Sequence, residues 1–461
     1  MRKAFLILAA ALVAVACSDN LGPDRPSGKR DRSAELDAVF SGMPEIRLSV
    51  SEDEWNRLLG EYDSNAGTQE YFHCDVSFTR DGKEYAVRDA GLRLKGNTSR
   101  RRPEGKGGER HNPSAPDWHH AHFGLNLRKY RDTLANTVMG VGRMDLKWFK
   151  DDPAYVREIY CYDLFRRFGV WTAVRDTYCR LWLRVGSEDA AYFGVYGLME
   201  HVGGSYLKAR SEAFGGAGGN LWKCSYPADL KSTSADFGPD DNVHTHVYEL
   251  KTNTAEGFSA ASAQIRDFIG KVNSLSGEAF QEWIASVMDI DLFLRTVAVN
   301  VAVGMWDDFW NNYNNFYLYF NTTDPASYKV WLIPYDYDNT LGTSNSCGVL
   351  DDSGRKNPLS WGHQSSPLIS KVLKKTEWKE LYVKYLKELC DPSRDLFDAE
   401  SSAARIKAWQ DSVSPYVSND TGEDMTIEDR PASWGNHSEY RILTPGSSNF
   451  FSVKASVISG L

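Results

Sequence analysis

The chain has 461 residues, of which 42% are hydrophobic and 13% aromatic, so it is long and apolar enough to bury a sizeable core. Its formal net charge of -9 argues against general affinity for nucleic acid or anionic membrane surfaces, which attract proteins with excess positive charge. An acidic chain of this kind favours a protein substrate or surface partner that is itself basic.

The first 16 residues have the pattern of a bacterial export signal. Two basic residues precede an apolar run from Ala4 to Val15 that is too short to span a membrane permanently. The sequence Ala14-Val15-Ala16-Cys17 resembles a lipobox, with Ala14 in the place of the usual leucine. We predict a lipoprotein signal peptide over residues 1–16 and a cell-envelope protein anchored in the membrane through lipidated Cys17. An ordinary secretory signal is the alternative.

Residues 17–33 are polar and contain proline and glycine, which is typical of a flexible tether, so the folded body is predicted to span 34–461. The six cysteines of the body are scattered and form no C-x-x-C pair. They favour buried free thiols over a zinc site or a disulfide framework, although an oxidising compartment leaves a disulfide open.

The first half of the body has the alternating pattern of β-strands. Residues 71–99 alternate around the turn Arg80-Asp81-Gly82-Lys83, which predicts a hairpin that runs into a third strand. A short strand is predicted over 122–127, and helical spacing predicts a helix that opens at Asp152-Pro153 and ends at Gly169. Two more strands lie within 177–202. Together these elements predict an antiparallel sheet with one helix across it.

Beyond residue 255 the pattern is mostly helical, but two strand-like segments interrupt it, FYLYF at 316–320 and KVWLIPYDYD at 329–338. The fold class predicted is α+β, with a β-rich N-terminal lobe over about 44–202 and a mainly helical C-terminal lobe over about 203–461.

Acidic and amide residues flank these two segments. They are Asp307, Asp308, Asn312, Asn314 and Asn315 before the first, and Asp336 and Asp338 at the end of the second. If the two strands are antiparallel neighbours, both groups meet at one edge of the sheet. Carboxylate and amide oxygens suit a hard cation such as Mg²⁺. Asp and Asn are also common in turns, where they bond their own backbone, so a plain turn is the alternative.

Eight segments together resemble those of CotH proteins, spore-coat-type proteins on an atypical protein-kinase fold. In chain order they are GLRLKGNTSR, VREIYCYDLFRRFG, YFGVYGLMEHV, GNLWKCSYPADL, YELKTN, WDDFWNNYNNFYLY, WLIPYDYDNTLG and EWKELYVKYLKEL. The resemblance implies a two-lobed kinase-like fold and transfer of the γ-phosphate of ATP to serine in a protein, with Mg²⁺ as cofactor.

The resemblance also implies roles for single residues. Asp307, or Asp308 as the next choice, would act as the catalytic base. Asn315 would be a metal ligand, and Asn312 would replace it if the loop is not bulged. Asp336 would hold Mg²⁺ across the phosphates with support from Asp338, and these are the parts that phosphoryl transfer needs.

Three further positions are expected near the nucleotide: Glu200 by the hinge, and Lys95 and Arg157. The alternative for Glu200 is a structural salt bridge, and for Lys95 and Arg157 a solvated surface charge. The sequence departs from the family in one strand, which begins His119-His120-Ala121-His122 where relatives carry lysines. Either Lys95, Lys129 or Lys147 substitutes from a neighbouring position, or the site binds nucleotide poorly.

Other functional classes stay open on sequence grounds. A surface adhesin or interaction module would keep the fold without turnover, since fold does not fix function. A glycan-binding lipoprotein would use exposed aromatic residues such as Trp118 or Trp361. The histidines at 119, 120 and 122 are a weak candidate for a transition-metal site.

Overall fold

The computed structural model describes residues 32–241, 245–254, 257–343, 352–430 and 439–461. The predicted signal peptide, the lipidation site Cys17, most of the predicted tether and Cys347 lie outside these residues. Among the helices described, none is long and apolar enough to cross a membrane. The cysteines at 74, 161, 179, 224 and 390 are free thiols, and the first four of them are buried.

Seven strands of the N-terminal half close into a barrel. They are β1 (Glu45–Val50), β2 (Phe72–Arg80), β3 (Lys83–Lys95), β4 (His122–Asn126), β5 (Arg143–Lys147), β6 (Asp176–Val185) and β7 (Ala191–Glu200). Their order around the barrel is β1-β2-β3-β4-β5-β7-β6, and β1 completes it by pairing in parallel with β6. The remaining neighbours pair antiparallel.

The strands predicted for this half are present, but the simple sheet covered by one helix is wrong. Strand twist accumulates around the sheet and brings β1 beside β6, so that both edges are paired. The hairpin is confirmed, yet its return strand and the predicted third strand form the single strand β3. Asp89 within it adopts a left-handed φ of 59°, which bends the strand without ending it.

A second sheet of five strands lies in the C-terminal half. Its strands are β8 (Asn220–Cys224), β9 (Phe237–Pro239), β10 (Tyr248–Leu250), β11 (Phe316–Phe320) and β12 (Val330–Pro334). The order across the sheet is β12-β11-β8-β10-β9. The strands β11 and β12 are antiparallel, with Phe316 opposite Pro334. The start of β11 and the end of β12 therefore lie at the same edge, as the predicted acidic site requires.

The other regular elements of the described chain are mainly helices. The helices are α1 (Arg32–Val39), α2 (Glu52–Ser64), α3 (Arg157–Arg167), α4 (Gly204–Ala209), α5 (Ser211–Phe214), α6 (Phe258–Ser274), α7 (Gly277–Val287), α8 (Ile290–Ala302), α9 (Pro367–Val372), α10 (Thr376–Leu389), α11 (Ala399–Val413) and α12 (Phe450–Ser459). The α+β class with a β-rich N-terminal region and a helical C-terminal region is confirmed. The helix α8 is buried along almost its whole length, which its nearly continuous apolar sequence explains.

The helix predicted to open at Asp152-Pro153 begins only at Arg157. The Asp152 carboxylate lies before the helix and accepts hydrogen bonds from the backbone N–H groups of Val156 at 2.9 Å and Arg157 at 2.8 Å. An acidic side chain in this position stabilises a helix start because it pairs the first free N–H groups. The helix packs in the larger of two hydrophobic clusters, whereas the barrel interior forms the other.

A segment near the C-terminus, residues 419–424, returns to the barrel and is called the strap below. Glu423 accepts hydrogen bonds from Arg101, at 2.6 and 2.9 Å, and from the backbone N–H of His120 at 3.0 Å. Asp424 accepts one from the Trp148 indole at 2.7 Å. The strap therefore ties the C-terminal region to Arg101 and to residues beside the start of β4 and the end of β5.

Candidate active site

The barrel, the helix α3 and the second sheet meet at Lys147, the last residue of β5. Its Nζ lies 2.6 Å from the Glu158 carboxylate on α3 and also pairs with the carboxylate of Asp336, just after β12. Burial alone would lower the pKa of Lys147, but Asp336 and Glu158 raise it well above its ordinary value. This lysine is therefore a fixed positive charge that joins three parts of the fold.

The helix α3 also holds the chain that follows β12. The Tyr162 hydroxyl accepts a hydrogen bond from the backbone N–H of Asp336 at 3.0 Å, and the Glu158 carboxylate accepts one from Tyr337 at 3.3 Å. Glu158 and Tyr162 are four residues apart and so share one helix face. Asp336 has a left-handed φ of 61°, a conformation that Asp and Asn tolerate better than most residues, and it turns the chain sharply at the strand end.

Three asparagines surround Asp307 in the loop before β11. The Asp307 carboxylate accepts hydrogen bonds from the side-chain amides of Asn312 at 2.6 Å, Asn314 at 3.2 Å and Asn315 at 3.0 Å. Because the Asn315 Nδ2 donates to Asp307, the Oδ1 of the same amide points away from it. Asn312 and Asn315, the two alternatives for the metal ligand, thus both contact the predicted base.

Asp308 has a different environment from its neighbour. It is buried, and its carboxylate accepts hydrogen bonds from the backbone of Trp310 and Asn311 at 3.0 and 2.6 Å, from the Asn300 side chain and from the Trp361 indole at 3.3 Å. Burial raises its pKa to about 6 despite these donors. Asp308 shapes the loop, which leaves Asp307 as the better placed of the two candidate bases.

The charges at this edge of the sheet influence one another strongly. Burial alone would raise the pKa of Asp336, but Lys147, Lys223 and His122 lower it below its usual range. Burial raises the pKa of Asp338 well above its ordinary value, and the negative charges of Asp336, Glu158 and Asp307 add to that rise. Burial and Asp336 likewise raise the pKa of Asp307. The cluster therefore carries more carboxylates than neighbouring cations can balance.

A divalent cation fits this donor set. Mg²⁺ prefers oxygen ligands and keeps water or phosphate oxygens in several of its positions, so it needs only a few protein ligands. Asp336, Asp338 and the Asn315 amide oxygen offer such atoms, and bound Mg²⁺ would relieve the repulsion among the carboxylates. Among the described residues, no group of three or more His, Cys, Asp or Glu side chains forms a site that could hold a metal by itself.

The structure places the predicted nucleotide residues in three separate environments. Lys95 of β3 pairs with Asp145 of β5. The aliphatic part of the Lys95 side chain crosses Gly124, and any other residue at position 124 would place its Cβ 2.9 Å from the Lys95 Cδ. Burial lowers its pKa to about 8. Glu200 is buried, and its carboxylate accepts hydrogen bonds from Arg210 and from Arg175.

Arg157 is also buried, and its guanidinium pairs with Asp152 and donates to the backbone oxygen of Arg430. Arg157 and Glu200 thus lie in structural ion pairs and not beside Asp336. The neighbour of Arg157 in the chain, Glu158, contributes more directly to the site, since it contacts Lys147.

The histidines and tryptophans considered above have structural partners within the protein, and Glu423 contacts both His119 and His120. His119 contacts Glu423, His120 contacts the Phe193 backbone oxygen at 2.9 Å, and the His122 Nδ1 accepts from the Trp148 backbone at 3.1 Å. They do not converge on a common point. Trp118 is 8% exposed and Trp361 is fully buried, so neither presents a stacking face to a glycan.

Sequence reasoning named Lys147 only as one of three possible substitutes and did not select Glu158. A lysine that ends a strand and a glutamate in the first turn of the next helix are a recognisable signal for an ion pair between adjacent elements. That signal is weak without the structure, because α3 also begins with Arg157 and many surface helices carry an early glutamate.

The sequence is similar to proteins of one known family. A family model described as CotH kinase protein matches residues 93–442, about three quarters of the chain. The chain belongs to the CotH kinase family. It is also 24% identical over 300 residues to the inner spore coat protein H of Bacillus subtilis (strain 168), an alignment that covers 63% of this chain and 73% of that protein. The matched CotH region contains Lys147, Glu158, Asp307 and Asp336.

Proposed function

We propose that this CotH family member is a Mg²⁺-dependent ATP:protein serine phosphotransferase that works in the cell envelope. The observation that carries the proposal is the buried Lys147–Glu158 pair, which reaches Asp336 at the same sheet edge as Asp307. Protein kinases need such a lysine–glutamate pair together with a metal-binding aspartate and a catalytic-loop base. The barrel and the helical region would be the two lobes of the kinase-like fold.

Each residue has a distinct task in this proposal. Asp336, with Asn315 and Asp338, would hold Mg²⁺, which when bound supplies positive charge against the phosphate oxygens. Lys147 keeps Asp336 ionised and oriented. Asp307 would accept the proton of the substrate serine hydroxyl, and the asparagines around it fix the orientation of its carboxylate.

The acidic chain and its predicted export favour a basic protein substrate outside the cytoplasm. The relative named inner spore coat protein H supports a place in an outer layer of the cell. In this proposal, the lipidated Cys17 attaches the protein to the membrane.

The test measures transfer of radiolabelled γ-phosphate from ATP, with and without Mg²⁺, to a basic serine-containing protein by the purified chain. The variants are Asp307→Asn and Asp336→Asn. Asp324→Asn is the matched control, because this exposed aspartate lies in the turn at the opposite end of the β11–β12 hairpin. We expect incorporation by the wild type and the control and its loss in both site variants. Equal incorporation by all four proteins, or none by the wild type, would contradict the proposal and favour an interaction module.

A further inference from the structure

An exposed tyrosine lies beside the candidate base, in the turn that follows β8. The Tyr226 residue is 64% exposed, the largest exposed fraction among the Phe, Tyr and Trp residues that the structure describes. Over the described chain, its ring stacks on no other ring and its hydroxyl has no hydrogen-bond partner. A single exposed aromatic residue is ordinary in proteins, so the importance of Tyr226 depends on what its backbone contacts.

The backbone of Tyr226 is fixed to the loop that carries the candidate base. Its N–H group donates to the Asn314 Oδ1 at 3.0 Å, and the Nδ2 of the same amide donates to the Asp307 carboxylate at 3.2 Å. Two residues further on, the Ala228 N–H donates to the backbone oxygen of Tyr313 at 2.8 Å. One side-chain amide therefore separates Asp307 from Tyr226, and two hydrogen bonds hold the turn against the loop.

The second aromatic ring of this surface, Tyr313, already has partners within the protein. The His363 ring stacks on it, with the ring centres 5.2 Å apart and the planes 21° from parallel. The Lys231 Nζ lies 4.8 Å from the centre of the Tyr313 ring and 3.2 Å from its hydroxyl. Tyr313 thus supports the surface, whereas the ring of Tyr226 is left to contact a ligand.

The charges around Tyr226 decide which kind of side chain fits beside it. The Lys231 Nζ lies 3.8 Å from the Asp229 carboxylate, so one cation and one anion lie within five residues of Tyr226. A basic side chain placed here would meet Lys231, and an acidic one would meet Asp229 and the nearby Asp307. An apolar side chain meets neither repulsion and removes ring surface from water, which is favourable.

We propose that Tyr226 binds an apolar side chain of the protein substrate, close in sequence to the serine that is phosphorylated. A peptide whose serine hydroxyl reaches Asp307 must continue over the surrounding surface, and an extended chain advances about 3.3 Å per residue. Residues within about three positions of the serine can therefore contact the Tyr226 ring. This inference rests on the proposed function, and it makes Tyr226 a specificity residue that takes no part in the chemical step.

The test uses synthetic basic serine peptides that carry alanine, leucine or glutamate at one position near the serine, with each position on either side tested in turn. Phosphate transfer from ATP gives kcat and KM, and the fluorescence anisotropy of labelled peptides gives their affinity without ATP. The variants of the full chain are Tyr226→Ala and the conservative Tyr226→Phe. Leu134→Ala is the matched control, because Leu134 is 76% exposed and lies between β4 and β5.

We expect the wild type to prefer leucine over alanine at one of these positions by about tenfold, through KM and peptide affinity and not through kcat. Tyr226→Ala should lose this preference and treat the alanine peptide as the wild type does. Tyr226→Phe and Leu134→Ala should keep the preference. Comparing both peptides in both proteins isolates the contact itself, since a general effect of the substitution on the fold changes both peptides alike.

The outcomes separate this inference from the proposed function. Phosphate transfer whose leucine preference persists in Tyr226→Ala overturns the role of Tyr226 and leaves the kinase proposal standing. A preference for glutamate, or equal treatment of all three peptides at every position, overturns it as well. Leucine-dependent peptide binding that needs Tyr226, without any phosphate transfer, supports the peptide-binding surface and contradicts the kinase function. A wild type that neither binds nor phosphorylates any peptide refutes both.

Discussion

Replacing Lys147 by methionine tests the junction on which the site depends. The substitution keeps most of the volume but removes the cation between Glu158 and Asp336. The side chain of Glu158 is 7% exposed, whereas that of Asp336 is 35% exposed and can gain water contacts. The loss of stability therefore comes mainly from the Glu158 carboxylate, which stays buried without its cation. We expect the free energy of unfolding to decrease by about 3 kcal/mol at pH 7, near the low end for a broken buried ion pair.

The assay is urea unfolding followed by the fluorescence of the 14 tryptophans. Adding Glu158→Gln to the Lys147→Met variant should restore about 2 kcal/mol, because it removes the stranded charge and keeps an acceptor for the Tyr337 N–H. The stability that Lys147→Met loses relative to the wild type should also be smaller at pH 5 than at pH 7. Burial raises the pKa of Glu158 in the wild type although Lys147 lowers it, so without Lys147 the rise is larger. The folded variant then binds a proton more readily than the folded wild type and gains more stability as the pH falls.

Lys150→Met is the matched control, since among the described residues this lysine pairs with its neighbour Asp151 alone, and the change should alter stability by about 0.5 kcal/mol or less. The reasoning is refuted if Lys147→Met destabilises by no more than the control. It is equally refuted if Glu158→Gln deepens the loss, or if the deficit is the same at both pH values.

Three further changes have defined outcomes. Asp308→Ala strands two backbone N–H groups and the Trp361 indole, so urea unfolding should show a loss of about 3–5 kcal/mol; a loss under about 1 kcal/mol contradicts its role in shaping the loop. Burial lowers the pKa of Lys454 to about 7, so the stability of the wild type relative to Lys454→Met should rise as pH increases from 7 towards 10 and stay level below 7. A flat difference in thermal midpoints would contradict this. Burial raises the pKa of Asp307, so serine phosphorylation should increase with pH through a value above that of an ordinary aspartate, and Asp307→Asn should be slower by a factor of about 10² or more without that dependence.

Local patterns were sufficient to predict much of the fold. Alternation and turn residues gave the hairpin of β2 and β3, the strand at 122 and the two strands β6 and β7. The apolar runs also predicted β11 and β12 as strands, but their antiparallel pairing was only a condition of the predicted site; the structure has this pairing, which places Asp307 and Asp336 at one edge. These features depend on residues close together in the chain, and period and turn chemistry report on such residues directly.

Features that depend on distant residues were not predictable in the same way. Closure of the barrel requires β1 to meet β6, and nothing in either strand specifies that partner. Lys147, Glu158 and Asp336 come from a strand end, a helix and a turn that the tertiary fold brings together. The helix start was predicted too early because Pro153 is a strong local signal for a first helical turn. In the structure the Asp152 side chain caps the helix from five residues before Arg157, and a cap at that distance is hard to recognise in a sequence.

The paired strands β1 and β6 lie far apart in the sequence, so a long time separates their synthesis. Residues 45–50 can pair with β2 on one side early, but their other side stays unpaired until residues 180–185 have emerged from the ribosome. During that wait β1 to β5 expose an edge to which other nascent chains can add, whereas the finished barrel has no edge left. Aggregation of this protein should therefore rise with the number of unfinished chains present at once, and weaker induction should raise the soluble yield more than added stabilisers do.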